Sequence, residues 1–107
     1  MNRGEVWWVE FDPAVGSEIR KTRPAVIVSN NTSNRYLARV QVVPLSSNVE
    51  RIYPSETVVT IAGQRSKIMA DQIMTADKRR LKQTMGKLSQ AEMQAVDGII
   101  KLQLGLV

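Results

Sequence analysis

The chain has 107 residues, a typical length for one domain, so we expect a single domain over residues 1–107. It contains no cysteine and no histidine, which excludes disulfides, thiol nucleophiles, thiolate metal sites and histidine acid–base catalysis. Fifteen Lys and Arg against ten Asp and Glu give a net charge of +5, which favours a polyanionic partner such as nucleic acid. Any catalysis must use Arg, Lys, Asp, Glu, Ser, Thr or Tyr.

The first residues, MNRGEVWW, lack the apolar run of a signal peptide. No stretch of the chain approaches the length of about 18 uncharged apolar residues that a membrane span needs. No internal repeat, low-complexity segment or linker interrupts the chain. We therefore expect a cytosolic protein with no membrane span.

Runs of β-branched and aromatic residues predict two strands in the first third of the chain. Residues 4–13 form the first, because they are rich in Val and aromatics and end at Asp-Pro. In a strand, Trp7 and Trp8 must face opposite sides, so one belongs to the core and the other lies under a loop, at an interface or against a base. Residues 24–30 form a buried strand that opens at Pro24, and residues 30–35 have the composition of a turn.

Three further runs predict strands over residues 38–47, 56–62 and 67–76, although the last alternates weakly and is also compatible with a helix. Residues 77–82, DKRRLK, are compatible with a solvated helical turn. Short strands separated by turn signals predict a small, strongly curved antiparallel sheet or barrel.

The C-terminal segment has the pattern of a helix. Ser89 followed by Glu92 is a capping box, and apolar residues then recur at helical spacing: Met93, Val96, Ile100 and Leu104. Additional apolar residues widen this face beyond what one small sheet can cover, and a subunit interface would absorb them: Ala95, Ile99, Leu102 and Leu106. Strands followed by a helix indicate an α+β domain.

The cations fall into two groups that could form one groove. The early group is Arg20, Lys21, Arg23, Arg35 and Arg39, and the late group is Arg65, Lys67, Lys78, Arg79, Arg80, Lys82 and Lys87. Arg23 is distinctive because Pro24 biases its backbone to extended geometry beside a Gly-Ser loop. Its planar guanidinium suits bidentate contact with phosphate oxygens. The alternative is an ion pair with Glu18 or Glu56.

A second candidate site is the turn PLSSN, residues 44–48, where two hydroxyls and an amide leave the end of a strand together. Such groups can bind a ligand. They can equally satisfy local backbone hydrogen bonds, which is their more frequent use.

Motifs spread in order over nearly the whole chain point to one family. They are RGEVWWVEFDPAVGSE, TRPAVIVSN, VVPLSSN, ADQIMTADKRRL and VDGIIKLQLGL. Together they resemble the MazF/PemK family of toxin endoribonucleases. The resemblance implies an SH3-like, CcdB/MazF-like barrel with a C-terminal α-helix, a homodimer, and a small acidic antitoxin. It also implies metal-independent and cofactor-independent cleavage of single-stranded RNA that leaves 2′,3′-cyclic phosphate and 5′-hydroxyl ends.

The resemblance also implies roles for individual residues. Arg23 matches the catalytic Arg of the family's Arg-Pro motif, and Ser46 matches its catalytic Thr or Ser. Because the RNA's own 2′-hydroxyl is then the nucleophile, the missing histidine is no obstacle. Glu18 is a candidate proton acceptor, although it could instead neutralise Arg20 or Lys21.

Further RNA contacts are predicted from position near these residues, because single-stranded bases are read by stacking and edge hydrogen bonds while cations follow phosphates. The predicted contacts are Arg20, Lys21, Asn30, Arg35, Tyr36, Ser47, Asn48, Arg65, Lys67 and Gln72. Two other functions remain open: a CcdB-like toxin that poisons DNA gyrase, and a basic module that binds RNA without cutting it. Neither needs Arg23 together with Ser46.

Overall fold

The computed structural model describes residues 1–11, 15–17 and 21–106. In chain order, the elements in these ranges are β1 Glu5–Glu10, β2 Thr22–Ile27, α1 Asn31–Tyr36, β3 Arg39–Ser46, β4 Glu56–Ile61, β5 Gln64–Met69, β6 Met74–Asp77, β7 Leu81–Lys87 and α2 Gln90–Gln103. Short 3-10 turns at Ala70–Gln72 and Lys78–Arg80 flank β6. Across these described ranges, neither helix has the length and apolar character to cross a membrane.

The strands form one antiparallel sheet in the order β4-β5-β3-β2-β1-β7, and β6 pairs with β3 outside this path. The long strand β3 changes partner along its length. Its first half pairs with β6, and its end pairs with β5. The sheet curls until the two edge strands, β4 and β7, contact each other. This curled antiparallel sheet with a C-terminal helix confirms the predicted fold class.

Two hydrophobic clusters stabilise the curl, because successive residues of β2 point to opposite sides of the sheet. Val26 belongs to one cluster, which α2 covers with Met93, Val96 and Ile99. Ala25 and Ile27 belong to the other, which consists of strand residues and of Phe11, the residue after β1. Trp7 packs half-buried against this second cluster, whereas Trp8 stays 37% exposed. The predicted division of the two tryptophans is therefore observed.

Two local backbone features shape the open side of the curl. The β4–β5 hairpin turns through Ala62 and Gly63, both with positive φ, as a two-residue hairpin turn of the right twist requires. In β7, Val6 pairs with Gly86 and Trp7 pairs with Thr84, so Met85 is the extra residue of a β-bulge. Both features lie beside the candidate site described below.

The helix α2 begins as the sequence predicts. The Ser89 side chain accepts from the Glu92 amide at 3.1 Å, and the Glu92 carboxylate accepts from the Ser89 amide at 2.9 Å. The buried stripe differs from the predicted one. Ile99 is buried, and Leu104 is 51% exposed because the helix ends at Gln103. Leu102 and Leu106 are exposed as well.

Three other segments correct the sequence-based assignment. Residues 31–36 form the short helix α1, because Asn30 caps it and Asn34 is buried against the sheet. The predicted strand 67–76 divides into β5 and β6, because a 3-10 turn at Ala70–Gln72 redirects the chain. The strand β7 was not predicted, and residues 78–80 form a 3-10 turn that leads into it.

Candidate active site

A cavity of about 520 Å³ lies at the mouth of the curled sheet, where β1, β2, β3, β5 and β7 converge beside the β4–β5 turn. Its apolar lining residues are Trp8, Pro24, Leu45, Ile61, Ala62 and Met85. Its polar lining includes Lys21, Thr22, Arg23, Ser47, Gln64 and Ser66. A mostly apolar cleft with a few convergent polar groups is the usual form of a ligand site.

Arg23 lies at the cavity with its side chain half-buried. It belongs to β2 and pairs with Val9 of β1, which holds its backbone in extended geometry, as Pro24 predicts. Its predicted alternative partner Glu56 binds Lys67 instead. Within the described part of the chain, the Arg23 guanidinium has no ion pair. A fixed guanidinium beside apolar walls is therefore available to an anionic ligand.

Ser46 ends β3, the strand that pairs with the Arg23 strand β2. Ala25 pairs with Pro44 between β2 and β3, and extending this register by two residues sets Arg23 level with Ser46. The Ser46 hydroxyl oxygen accepts from the Asn48 amide at 3.2 Å, which leaves its hydrogen available to donate. Ser47, the next residue, lines the cavity itself. The end of β3 therefore brings the Ser47 hydroxyl to the Arg23 cavity, with Ser46 one residue before it.

The loop that follows is held by Asn48 and by Lys67 of β5. Asn48 accepts from the Glu50 amide through Oδ1 at 3.2 Å. Lys67, which pairs with Ser46 between β3 and β5, donates through Nζ to the Arg51 carbonyl at 3.0 Å and to Glu56 Oε1 at 3.1 Å. The same Nζ lies 5.5 Å from the centre of the Tyr53 ring.

The Lys67–Glu56 ion pair is largely buried, with side-chain exposures of 12% and 6%. Glu56 Oε1 also accepts from the Tyr53 amide at 2.8 Å. The pair therefore ties β4, β5 and the loop after β3 together. Lys67 was predicted as an RNA contact, and the structure engages its ammonium group in this internal network.

The remaining predicted contacts do not meet at the cavity. Asn30 caps α1, and Arg35 and Tyr36 line a separate cavity at the other end of β2. Arg65 lies on β5 and Gln72 in the 3-10 turn, and neither lines the cavity that holds Arg23. Glu18 and Arg20 lie outside the described residues. The two predicted cation groups therefore do not form one groove among the residues that are described.

Several lining residues were missed by the sequence analysis. Gln64 and Ser66 line the cavity, whereas the predicted Arg65 alternates with them on β5 and does not. Ile68 lies two residues beyond Ser66 and is fully buried, so strand alternation could have selected the correct face. Ile61 of β4 and Met85 of β7 are distant in sequence from Arg23, and no pattern in their own segments predicts that they line its cavity.

Comparison with known proteins agrees with these features. Residues 2–104 match the family model described as PemK-like, MazF-like toxin of type II toxin-antitoxin system. Endoribonuclease MazF9 of Mycobacterium tuberculosis is 39% identical, over 99% of this chain and 98% of that protein.

Solved structures show the same architecture. An endoribonuclease in complex with its cognate antitoxin from Mycobacterial species has a TM-score of 0.85 at 27% identity, over 100% of this chain and 97% of the other. MazF from Deinococcus radiodurans has a TM-score of 0.87 at 24% identity, over 98% of this chain and 96% of the other, and this likeness concerns the fold alone. By the extent of the family match and the identity to MazF9, the chain belongs to the PemK-like, MazF-like family of type II toxins.

Proposed function

We propose that this chain is a toxin endoribonuclease, an mRNA interferase, that cleaves single-stranded RNA without a metal ion. The observation that carries the proposal is the placement of Arg23, which has no described ion pair, at the cavity and level with Ser46. Family membership and the identity to a named endoribonuclease support it. The single domain over residues 1–107 would carry the whole activity.

In the proposed reaction, the RNA's 2′-hydroxyl oxygen attacks the adjacent phosphorus. The bond from phosphorus to the 5′-oxygen breaks, which gives a 2′,3′-cyclic phosphate and a 5′-hydroxyl. Arg23 binds the non-bridging oxygens and stabilises the negative charge that grows on them in the transition state. The Ser46 hydroxyl donates to one of these oxygens and holds the phosphate in line with the attacking oxygen.

Two protons must move in this reaction. The 2′-hydroxyl loses one, and the departing 5′-oxygen gains one. Glu18 remains our candidate acceptor, because a carboxylate is deprotonated at neutral pH whereas an arginine is effectively always protonated. In the proposed mechanism, Arg23 donates a hydrogen bond to the leaving oxygen, which makes it a better leaving group, and that oxygen then takes its proton from solvent water.

Around this centre, we assign the nearest RNA contacts to Lys21 and Ser47, which line the same cavity. Trp8, on the neighbouring strand, lines the same cavity with a partly exposed ring on which a base can stack. Arg20 and Asn48 remain predicted contacts through their neighbours in sequence. Arg65, Lys67 and Gln72 do not line the cavity, so we assign them no RNA contact inside it.

We further propose that an acidic antitoxin segment covers the Arg23 cavity and competes with RNA for it. The net charge of +5 favours both ligands. The exposed Leu102, Leu104 and Leu106 at the end of α2 are a candidate homodimer surface. A toxin that acts on mRNA works where mRNA is translated, so we place it in the cytoplasm.

The test is to incubate the purified protein with total RNA in EDTA and to sequence the cut ends. We expect cuts at one short sequence, with 2′,3′-cyclic phosphate and 5′-hydroxyl ends. Cleavage that requires a divalent metal would contradict the mechanism. RNA binding without cuts would indicate that the protein is a non-cleaving RNA-binding module. Inhibition of gyrase without cuts would indicate the CcdB-like function.

A further inference from the structure

The cavity beside α1 has the lining of a nucleic-acid site, although it is separate from Arg23. Its volume is about 670 Å³. Its lining includes Asn31, Arg35, Tyr36 and Lys78, and no carboxylate lines it among the residues that the structure describes. Cations, amides and an aromatic ring together suit phosphates and bases.

Tyr36 and Arg35 form an exposed pair at this cavity. The Tyr36 side chain is 73% exposed, and the Arg35 guanidinium carbon lies 5.4 Å from the centre of its ring. An exposed aromatic ring beside a guanidinium can stack with a base while the cation binds the neighbouring phosphate.

A buried network fixes the backbone of the helix α1, which carries this pair. Asn34, only 2% exposed, accepts from the Ser29 hydroxyl and donates through Nδ2 to the Ser29 carbonyl at 2.9 Å. The Ser29 hydroxyl oxygen also accepts from the Gln41 amide at 3.0 Å, and Lys78 Nζ donates to the Asn34 carbonyl. The helix α1 is thereby bound to β2, to β3 and to the turn after β6. Little conformational entropy remains to be lost when a ligand binds there.

The strand β2 separates the cavity beside α1 from the Arg23 cavity. Arg23 lies at the start of this strand, and Asn30 caps α1 just beyond its end. At 3.3 Å per residue, the chain between them spans about 23 Å. A base-stacked strand advances about 3.4 Å per nucleotide, so about seven nucleotides separate the two places.

We propose that the α1 cavity is a second, non-catalytic contact for the same single-stranded RNA, binding a base and a phosphate some seven nucleotides from the cleavage point. This inference rests on the proposed nuclease function and deepens it. The second contact increases affinity for long RNA and takes no part in bond breaking. Short RNAs that occupy only the Arg23 cavity do not reach it.

The test measures binding by fluorescence anisotropy with RNAs that carry a 2′-deoxy nucleotide at the cleavage point, so that none is cut. One RNA has about 5 nucleotides, and two have about 16, extended on the 5′ or the 3′ side. For one of the long RNAs, we expect Tyr36→Ala to weaken binding at least about fivefold and Tyr36→Phe to bind as wild type. Neither variant should change binding of the short RNA, or cleavage of the same short RNA made with ribose at the cleavage point.

Arg35→Ala is the charge test, with Arg79→Ala as its matched control, since Arg79 is exposed and lies outside the cavity. Losing one phosphate contact should reduce the slope of log K against log salt by about 0.7 for Arg35→Ala only. Equal affinity of Tyr36→Ala and wild type for both long RNAs would overturn the proposal. So would a lower oligomeric mass of Tyr36→Ala in sedimentation, which would assign the surface to a second copy of the chain.

A failure of the proposed nuclease function can be distinguished from a failure of the second contact. In that case, no RNA is cut by the wild type, while anisotropy still compares long with short RNA. If the long RNA then loses affinity in Tyr36→Ala, the second contact stands. If it does not, the second contact is refuted independently of cleavage.

Discussion

Arg23 and Lys67 are two cations on nearby strands, level with the same Ser46, and the protein uses them differently. Lys67 is bound by a largely buried carboxylate, a carbonyl and the face of a tyrosine ring. Arg23 reaches a cavity with no described ion pair. One cation has its charge neutralised inside the fold, and the other keeps its charge for a ligand.

The difference teaches that a count of nearby cations does not identify a phosphate site. What matters is whether an acidic side chain has already taken the charge. Glu56 neutralises Lys67 and not Arg23, because the pairing of β4 with β5 brings Glu56 next to Lys67. A change at Arg23 should therefore affect cleavage, and a change at Lys67 should affect stability.

The largest expected effect is on catalysis. Arg23→Ala removes the group proposed to stabilise the transition state, and kcat should fall about 10²–10³-fold. The thermal midpoint should stay close to that of the wild type, because no described ion pair is lost. Cleavage assays and calorimetry check the two halves, with Arg79→Ala as the charge-matched control. An active Arg23→Ala enzyme would remove the distinction between the two cations.

Lys67→Met should show the reverse pattern. It leaves Glu56 with no cation in a mostly buried position, and we expect a loss of about 2 kcal/mol in the free energy of unfolding. Urea denaturation measures this loss, and Glu56→Gln with the double variant completes a cycle. Additive losses in the cycle would show that the pair does not couple. The loop after β3 would loosen as well, so any fall in kcat should accompany the fall in stability.

The roles of the Ser46 and Ser47 hydroxyls can be separated in the same way. Ser46→Ala removes one neutral hydrogen bond to the phosphate, and kcat should fall about tenfold. Ser47→Ala removes a group from the cavity wall, and its main effect should be on KM. Steady-state kinetics on one defined RNA distinguishes them. A larger loss of kcat in Ser47→Ala would transfer the catalytic role to that residue.

The smallest effect concerns the cap of α2, which is remote from both cations and calibrates the comparison. Ser89→Ala should cost about 1 kcal/mol of stability and leave cleavage unchanged.

The hydrogen bond from the Ser89 amide lowers the pKa of Glu92 below its ordinary 4.5. The ionised carboxylate therefore stabilises the fold above about pH 4.5, and this contribution is lost as pH falls through the lowered pKa.

Glu92→Gln tests that pH dependence. The variant should lose less stability than the wild type when unfolding is measured from neutral pH down through the acid range. Identical pH profiles of the two proteins would show that the capping carboxylate does not contribute.

The sequence predicts those parts of the molecule whose causes are local. Pro24 restricts Arg23, and the capping box fixes the start of α2, so both could be assigned from neighbouring residues. Alternation along β1 separated Trp7 from Trp8. The family motifs added Ser46 as the proposed partner of Arg23, since no local pattern shows that β3 ends level with the start of β2.

Other parts depend on contacts that a linear pattern does not contain. In β7, bulges break the two-residue period, and only Leu81 is buried, so the segment lacks the pattern of a strand. The helix α1 has the composition of a turn, and its structure depends on the burial of Asn34. The face of β5 was predicted wrongly because positive charge marks Arg65 and Lys67 as candidate RNA contacts. Gln64 and Ser66, which line the cavity, are neutral.

The curl of the sheet also has a consequence for when the molecule becomes active. The walls of the Arg23 cavity run from Trp8 to Met85, so they span most of the chain. A nascent chain that has not yet released β7 from the ribosome has no complete cavity. Pairings between residues so distant in sequence also form slowly. A cell that makes this protein therefore has an interval between synthesis and activity in which a partner can bind first.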